Sequence, residues 1–151
     1  MELDQNFWTN RYQEGKTDWD TACVTRPLQT YFDQVKDKNV EILIPGGGNA
    51  YEAEYLFKHG FTNVYALDFS ELPLQNLQKR CPSFPSENLI RANFFEHKGQ
   101  YDLIVEQTFF CAINPALRVN YVKKIHELLK PKGKLVGLLF NVPLNGNEPP
   151  F

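Results

Sequence analysis

Three consecutive glycines constrain this chain more than any other feature. Gly46, Gly47 and Gly48 follow the apolar run Val40-Glu41-Ile42-Leu43-Ile44 and Pro45, and they precede Asn49-Ala50. A short apolar run that ends in such a loop reads as a buried strand entering a tight turn. Beyond it, Ala50, Ala53, Leu56 and Phe57 fall at helical spacing, with Asn49 as the expected N-cap and Gly60 as the stop. One glycine would serve a plain strand-to-helix turn. Three indicate a loop whose backbone approaches a ligand closely.

The rest of the chain alternates in the same way. Val64–Leu67 reads as a second strand, and Ser70 caps a helix to about Lys79 with Leu74 and Leu77 on one face. Leu89–Ala92 and Leu103-Ile104-Val105 read as the third and fourth strands. Asn114-Pro115 starts a helix with Val122, Ile125 and Leu129 as its apolar stripe, ended by Pro131 and Gly133. Lys134–Phe140 is the fifth strand. Short apolar strands alternating with amphipathic helices predict an α/β fold with a doubly wound, mostly parallel sheet. Its site is expected at the carboxyl ends of the strands. At 151 residues the whole chain, 1–151, is expected to form one domain.

Composition narrows the function classes. Eighteen acids against sixteen bases give a net charge of −2, which lacks the basic footprint of a general nucleic-acid binder. No apolar run approaches the roughly 20 residues needed to span a bilayer, and Met1-Glu2-Leu3-Asp4 does not resemble a signal peptide. Cys23, Cys81 and Cys111 form no CxxC pair, so a reducing, cytoplasmic setting is expected. No cluster has metal-ligand spacing. His59, His97 and His126 lie on polar stretches or at helix ends without a catalytic partner. Cys111 reads as a small buried hydrophobe.

The chemistry gathers at the strand ends. Asp68 ends the second strand twenty residues after Gly48, where an acid can accept both hydroxyls of a ribose. An acid near the start of the following helix is the plainer alternative. The two features together suit a dinucleotide or S-adenosylmethionine. Tyr51 fills the place of the third glycine that a pyrophosphate loop needs, which favours S-adenosylmethionine. Asn93 and Phe94, at the end of the third strand, can bond and cover an adenine, although Phe94 and Phe95 can equally be core. Glu106 ends the fourth strand. It reads either as an exposed acid or as a partner for the amino group or sulfonium of the cofactor.

The head Trp8-Thr9-Asn10-Arg11-Tyr12-Gln13-Glu14-Gly15-Lys16-Thr17-Asp18-Trp19-Asp20 resembles the N-terminal signature of the thiopurine methyltransferase superfamily, which includes plant halide and thiol methyltransferases. The resemblance continues through the glycine loop, Ala66-Leu67-Asp68-Phe69-Ser70, Thr108-Phe109-Phe110-Cys111-Ala112-Ile113-Asn114-Pro115 with Arg118, and Leu128–Gly133. It implies a Rossmann-like class I methyltransferase fold that uses S-adenosylmethionine. It places Trp8, Tyr12 and Trp19 in an aromatic cover formed by residues 1–24, and Gly46 and Gly48 in the cofactor loop. Asp68 and its neighbour Phe69 fall to the cofactor as well, with Asp68 at the ribose and Asn93 and Phe94 at the adenine. Arg118, with Phe109, is placed near the methyl acceptor. A positive charge in the first turn of a helix is otherwise disfavoured. Tyr12 stands where the animal enzymes carry Trp. Gly46-Gly47 replaces a bulkier pair there, which sets this chain nearer the bacterial and plant members.

The expected reaction is in-line methyl transfer to a small soft nucleophile, a thiol, a halide or a thiopurine-like acceptor. A charged acceptor needs positioning more than acid-base catalysis. Trp19 and Phe109 are expected to face the sulfonium. A nicotinamide-dependent oxidoreductase and a non-catalytic cofactor-binding module are the alternatives. The resembled family closes its sheet with two further strands, and five are counted here. The expectation is therefore a sheet lacking the last two strands. Its exposed fifth-strand edge would favour self-association.

Overall fold

The computed structural model describes residues 3–144 and 146–151. Two helices precede the first strand, α1 (Gln5–Gln13) and α2 (Arg26–Gln34). Then follow β1 (Ile42–Pro45), α3 (Tyr51–Lys58), β2 (Val64–Asp68), α4 (Glu71–Arg80), β3 (Leu89–Arg91) and β4 (Tyr101–Gln107). The last two are α5 (Arg118–Leu128) and β5 (Leu129–Leu138). The strands form one sheet in the order β3-β2-β1-β4-β5, every pair parallel. The chain walks outward from β1 to β3, then returns to the other side of β1. The switch point therefore lies between β1 and β4, where such sheets open a crevice.

Both faces of the sheet are covered, which is why the strands read as continuous apolar runs. Alternate residues of β1 and β4 serve opposite sides. Ile42, Ile44, Leu103 and Val105 pack with Leu28 and Phe32 of α2, Ala53 and Leu56 of α3, and Leu74 and Leu77 of α4. Leu43 and Ile104 pack with Phe94, Ile113 and the α5 residues Tyr121, Ile125 and Leu128.

Several local expectations give way to tertiary packing. The α2 helix is additional to the predicted elements. It carries Pro27 in its first turn and buries Leu28 and Phe32 against the sheet. Ala50, rather than Asn49, caps α3, in a left-handed conformation (φ 51°) and without a side-chain cap bond. The reason is that the Asn49 side chain is drawn to Asp20 and Asn76. On α5 the buried stripe is Tyr121, Ile125 and Leu128, and Val122 is exposed. Asn114 does cap, but its bond to Ala116 N–H at 3.0 Å opens a 3-10 turn before the helix proper begins at Arg118. The β5 strand begins at Leu129, well before Lys134. From Tyr101 to Leu103 the β4 strand faces a longer stretch from Leu129 to Lys134. That bulge holds Pro131, Lys132 (φ 68°) and Gly133.

Candidate active site

A cleft of ≈ 1010 Å³ lies at the carboxyl ends of the strands. Gly46, at the start of the glycine loop, lines it. Gly46 and Gly48 both adopt left-handed backbone (φ 57° and 53°), which glycine alone adopts without strain. Aromatic side chains press on both. A Cβ on Gly46 would stand 2.1 Å from Cδ2 of Phe109, and one on Gly48 would stand 2.6 Å from the Tyr12 hydroxyl. The glycines therefore make room for the protein's own rings as well as for a ligand.

Asp68 joins the loop to the second strand. Its Oδ2 accepts the Gly48 N–H at 2.9 Å and its Oδ1 accepts the Ser70 N–H at 2.8 Å. Each oxygen keeps a further lone pair for a donor in the cleft. Burial pushes the Asp68 carboxyl up to about 6, against the opposing pull of the Ser70, Gly48 and Phe69 amides.

The head roofs the cleft. Asp4 caps α1 by accepting the Phe7 N–H at 2.8 Å. The α1 helix buries none of its residues, so it is held by contacts on one side. Trp19 is the hub of that side. It meets Trp8 edge-on at 5.7 Å and Tyr12 edge-on at 5.8 Å. The Thr9 and Ser70 hydroxyls stand 3.0 Å apart, and Arg11 pairs with Glu148 at 3.1 Å. Asp20 takes the Asn49 amide and the Tyr51 hydroxyl, pinning the head to the loop. Burial, then the Asp68 charge, raises the Tyr12 hydroxyl well above its ordinary pKa, so it stays a neutral donor.

Of the residues expected at a site, Trp8, Tyr12, Trp19, Gly46, Asp68, Phe69, Asn93, Phe94 and Phe109 all line this cleft. Asn93 caps a short turn by accepting the Phe95 N–H at 3.0 Å, which leaves its amide facing Glu96 at 3.3 Å. Phe94 is both core and wall. It is buried and meets Phe109 at 5.2 Å and Tyr121 at 5.6 Å.

Gly48, Glu106 and Arg118 stand elsewhere. Gly48 lines a small recess behind the loop. Glu106 is 1% exposed and spends Oε1 on the Phe109 and Phe110 N–H groups, both at 2.8 Å. Burial raises its carboxyl, and those two amides oppose the rise. Arg118 stacks on Phe110 at 4.7 Å and donates to the Phe151 carbonyl at 2.7 Å. Its Nε is buried without a partner. Glu106 and Arg118 share a side cavity of ≈ 290 Å³ that borders the cleft at Thr108, Cys111 and Phe140.

Gln107 is a cleft residue beyond those expected. It lines both the cleft and the recess, held by the Thr25 hydroxyl at 2.8 Å. Strand alternation is the signal for it: Leu103, Val105 and Gln107 share one face of β4, and Glu106 belongs to the other. Thr108 follows in left-handed backbone (φ 60°), strain of a kind that collects at functional sites.

The cleft's charge suits a cation. Asp4, Asp18 and Asp68 line it beside a single arginine, Arg11, which Glu148 already engages. Among the described residues no group of acids, histidines and cysteines has a metal-holding arrangement.

The comparisons with known proteins agree with this geometry. Residues 3–151 match the family model described as thiopurine S-methyltransferase (TPMT). The chain is 28% identical over 149 residues to probable thiol methyltransferase 2 of Arabidopsis thaliana, covering 95% of this chain and 66% of that protein. It is 27% identical over 154 residues to thiocyanate methyltransferase 1 of Brassica oleracea, covering 99% and 68%. The chain thus spans about two thirds of the length of these curated relatives. Among solved structures, 1,6-didemethyltoxoflavin-N1-methyltransferase of Burkholderia thailandensis superposes with a TM-score of 0.72 at 20% identity, over 88% of this chain and 59% of that one. TehB of Haemophilus influenzae superposes with a TM-score of 0.65 at 18% identity, over 88% and 44%. The fold is therefore that of the Rossmann-like class I methyltransferases, and with the family model matched from Leu3 to Phe151 the chain belongs to the thiopurine S-methyltransferase family.

Proposed function

We propose that the chain is an S-adenosylmethionine-dependent methyltransferase whose acceptor is a small soft nucleophile, a thiol, halide or thiopurine-like sulfur. The observation that carries this reading is Asp68, a buried carboxylate on the cleft wall beneath an aromatic roof. Its free lone pairs suit ribose hydroxyls. The acidic, aromatic lining suits a sulfonium and would repel a pyrophosphate, which disfavours a nicotinamide dinucleotide.

Asp68 would hold the ribose, Asn93 and Phe94 the adenine, and Gly46 the backbone approach. Trp8, Tyr12 and Trp19 would cover the cofactor and exclude water. When bound, S-adenosylmethionine supplies an electrophilic methyl carbon on a positive sulfur. The protein's share is then alignment: holding the acceptor in line behind that carbon within van der Waals reach. The Phe109 ring, fixed against Gly46, walls this approach. Arg118 offers its charge to an anionic acceptor from the side cavity. No general base is required for a thiolate or halide.

Calorimetry with S-adenosylhomocysteine, followed by an acceptor panel read by S-adenosylhomocysteine release, tests the proposal. Binding with turnover of thiol or halide acceptors is expected. Binding of reduced nicotinamide dinucleotide instead would sink it. Binding without turnover of any acceptor would favour a cofactor-binding module.

A further inference from the structure

The exposed apolar surface of this chain is gathered in one region. Every large apolar side chain that stands exposed among the described residues lies between Leu117 and Val142. Leu117, Val119 and Val122 belong to α5 and the turn before it, and Leu135, Leu139 and Phe140 to β5 and its exit. The β5 strand is also the open edge of the sheet. Among the described residues it pairs with β4 alone, and no loop backbone bonds to its other side. Unpaired N–H and C=O groups beside exposed leucines are a template for another strand.

The register with β4 fixes which way those leucines face. Leu135 stands beside Ile104, which packs with α5, and Val136 stands beside Val105, which packs with α2, α3 and α4. Leu135, and Leu139 four residues on, therefore lie on the α5 side of the sheet. Charge is unevenly spread along the strand. Lys130, Lys132 and Lys134 occupy its first half, while Leu135, Val136 and Leu138 fill the second and Leu139 and Phe140 follow it.

We infer that β5 pairs antiparallel with β5 of a second copy of this chain, about a two-fold axis at Gly137, so that the two five-stranded sheets run on as one. In that register Leu135 of each copy opposes Leu139 of the other on the α5 side, and Val136 opposes Leu138 on the opposite side. Lys134 falls opposite Phe140, and Lys132 opposite Val142. Each of these lysines meets an apolar residue along which its stem can lie, and none meets another lysine. The strand is thus complementary to itself, which is why the occupant is a second copy. Parallel pairing in register would set each lysine against its own counterpart, and like charges directly opposite are destabilising. An axis at Val136 or at Leu138 would set Leu135 or Leu139 opposite Gly137 and forfeit the leucine pairs. The inference does not depend on the methyltransferase reading.

Exchanging the two leucines for opposite charges tests the register as well as the surface. Mass is followed against concentration by sedimentation for the unaltered chain, Leu135→Glu, Leu139→Lys and the variant that carries both. Both positions are exposed, and thermal melting checks that each variant folds. The unaltered chain should form dimers that dissociate on dilution. Each single substitution sets a charge opposite a leucine twice per dimer and should weaken association about tenfold or more. In the double variant the new carboxylate of each copy opposes the new ammonium of the other, so association should return to within about threefold of the unaltered chain. A monomer at every concentration would overturn the inference and leave the edge to a strand of another protein. Association untouched by the single substitutions would overturn it by placing the contact elsewhere. A double variant as weak as the singles would overturn it too, because the two leucines would then not oppose each other.

Discussion

The Asp68 carboxylate accepts the Gly48 N–H at 2.9 Å across twenty residues of sequence. Its other oxygen holds Ser70 at the start of α4. One side chain at the end of β2 thus fixes both the glycine loop and the next helix. On the proposed reading the cofactor cradle is set before any cofactor arrives, and preorganisation of that kind lowers the cost of binding.

Asp68 should leave a signature in the pH dependence of stability. Burial raises its carboxyl from 3.8 to about 6, so the folded chain holds that proton more tightly than the unfolded chain does. The resulting stability is full at pH values below the ordinary carboxylate range and is lost as pH rises through about 6. Relative to Asp68→Asn, the unaltered chain should lose about 2 kcal/mol between about pH 4 and pH 7. Denaturant titrations across that range measure it. A gap between the two proteins that stays constant with pH would contradict it.

Gly48→Ala should loosen the roof. Left-handed backbone costs a residue with a Cβ about 1–2 kcal/mol, and the new methyl would stand 2.6 Å from the Tyr12 hydroxyl. Tyr12 must then leave its place beside Trp19. Amide exchange in Gln5–Gln13 should accelerate several-fold, with a change in tryptophan fluorescence. Unaltered exchange in that helix would show that Tyr12 does not anchor it.

In the unaltered chain the same helix should respond to ligand. It buries no residue of its own and is tied down by Trp8, Thr9, Arg11 and Tyr12. Such an element belongs to the less stable part of a domain. Saturating S-adenosylhomocysteine should slow its exchange by stabilising the roof. The same rates with and without ligand would mean that the head is a fixed part of the scaffold.

The β5 edge should bring copies together. Among the described residues β5 pairs only with β4, and Leu135 on the strand and Leu139 just past its end are exposed at 43% and 65%. Apolar residues on an open edge invite strand pairing between molecules. Light scattering should report association that grows with concentration and that Leu135→Lys with Leu139→Lys suppresses. A monomer at all concentrations in the unaltered chain would rule this out.

The fold was legible because its signals were local. Glycines after an apolar strand, an acid after the next and Pro115 behind Asn114 each act within a few residues. What escaped depended on distant partners. The α2 helix exists because Leu28 and Phe32 find the sheet. Asn49 did not cap because its side-chain oxygen, the capping acceptor, takes the amide of Asn76, far away in the sequence. Tyr121 and Leu128 took the places expected of Val122 and Leu129, because α5 packs against Leu43, Phe94 and Ile104 through the face that carries them. At the site, the residues that line the cleft come from strand ends and the head, which the resemblance marked. Gln107 was overlooked although the alternation of β4 marks it, since it shares a face with Leu103 and Val105.

Gly46 and Phe109 compete for one parcel of space, since a single methyl at position 46 would overlap the ring at 2.1 Å. The two positions therefore behave as one unit with a fixed allotment of volume. Widening the cleft by trimming Phe109 opens a hole that position 46 can refill from below. The backbone limits the choice, because φ is 57° there and asparagine is the side chain that tolerates such a conformation best. A redesign of acceptor size would thus pair Gly46→Asn with Phe109→Ala, and the two changes together should cost less than the sum of each alone.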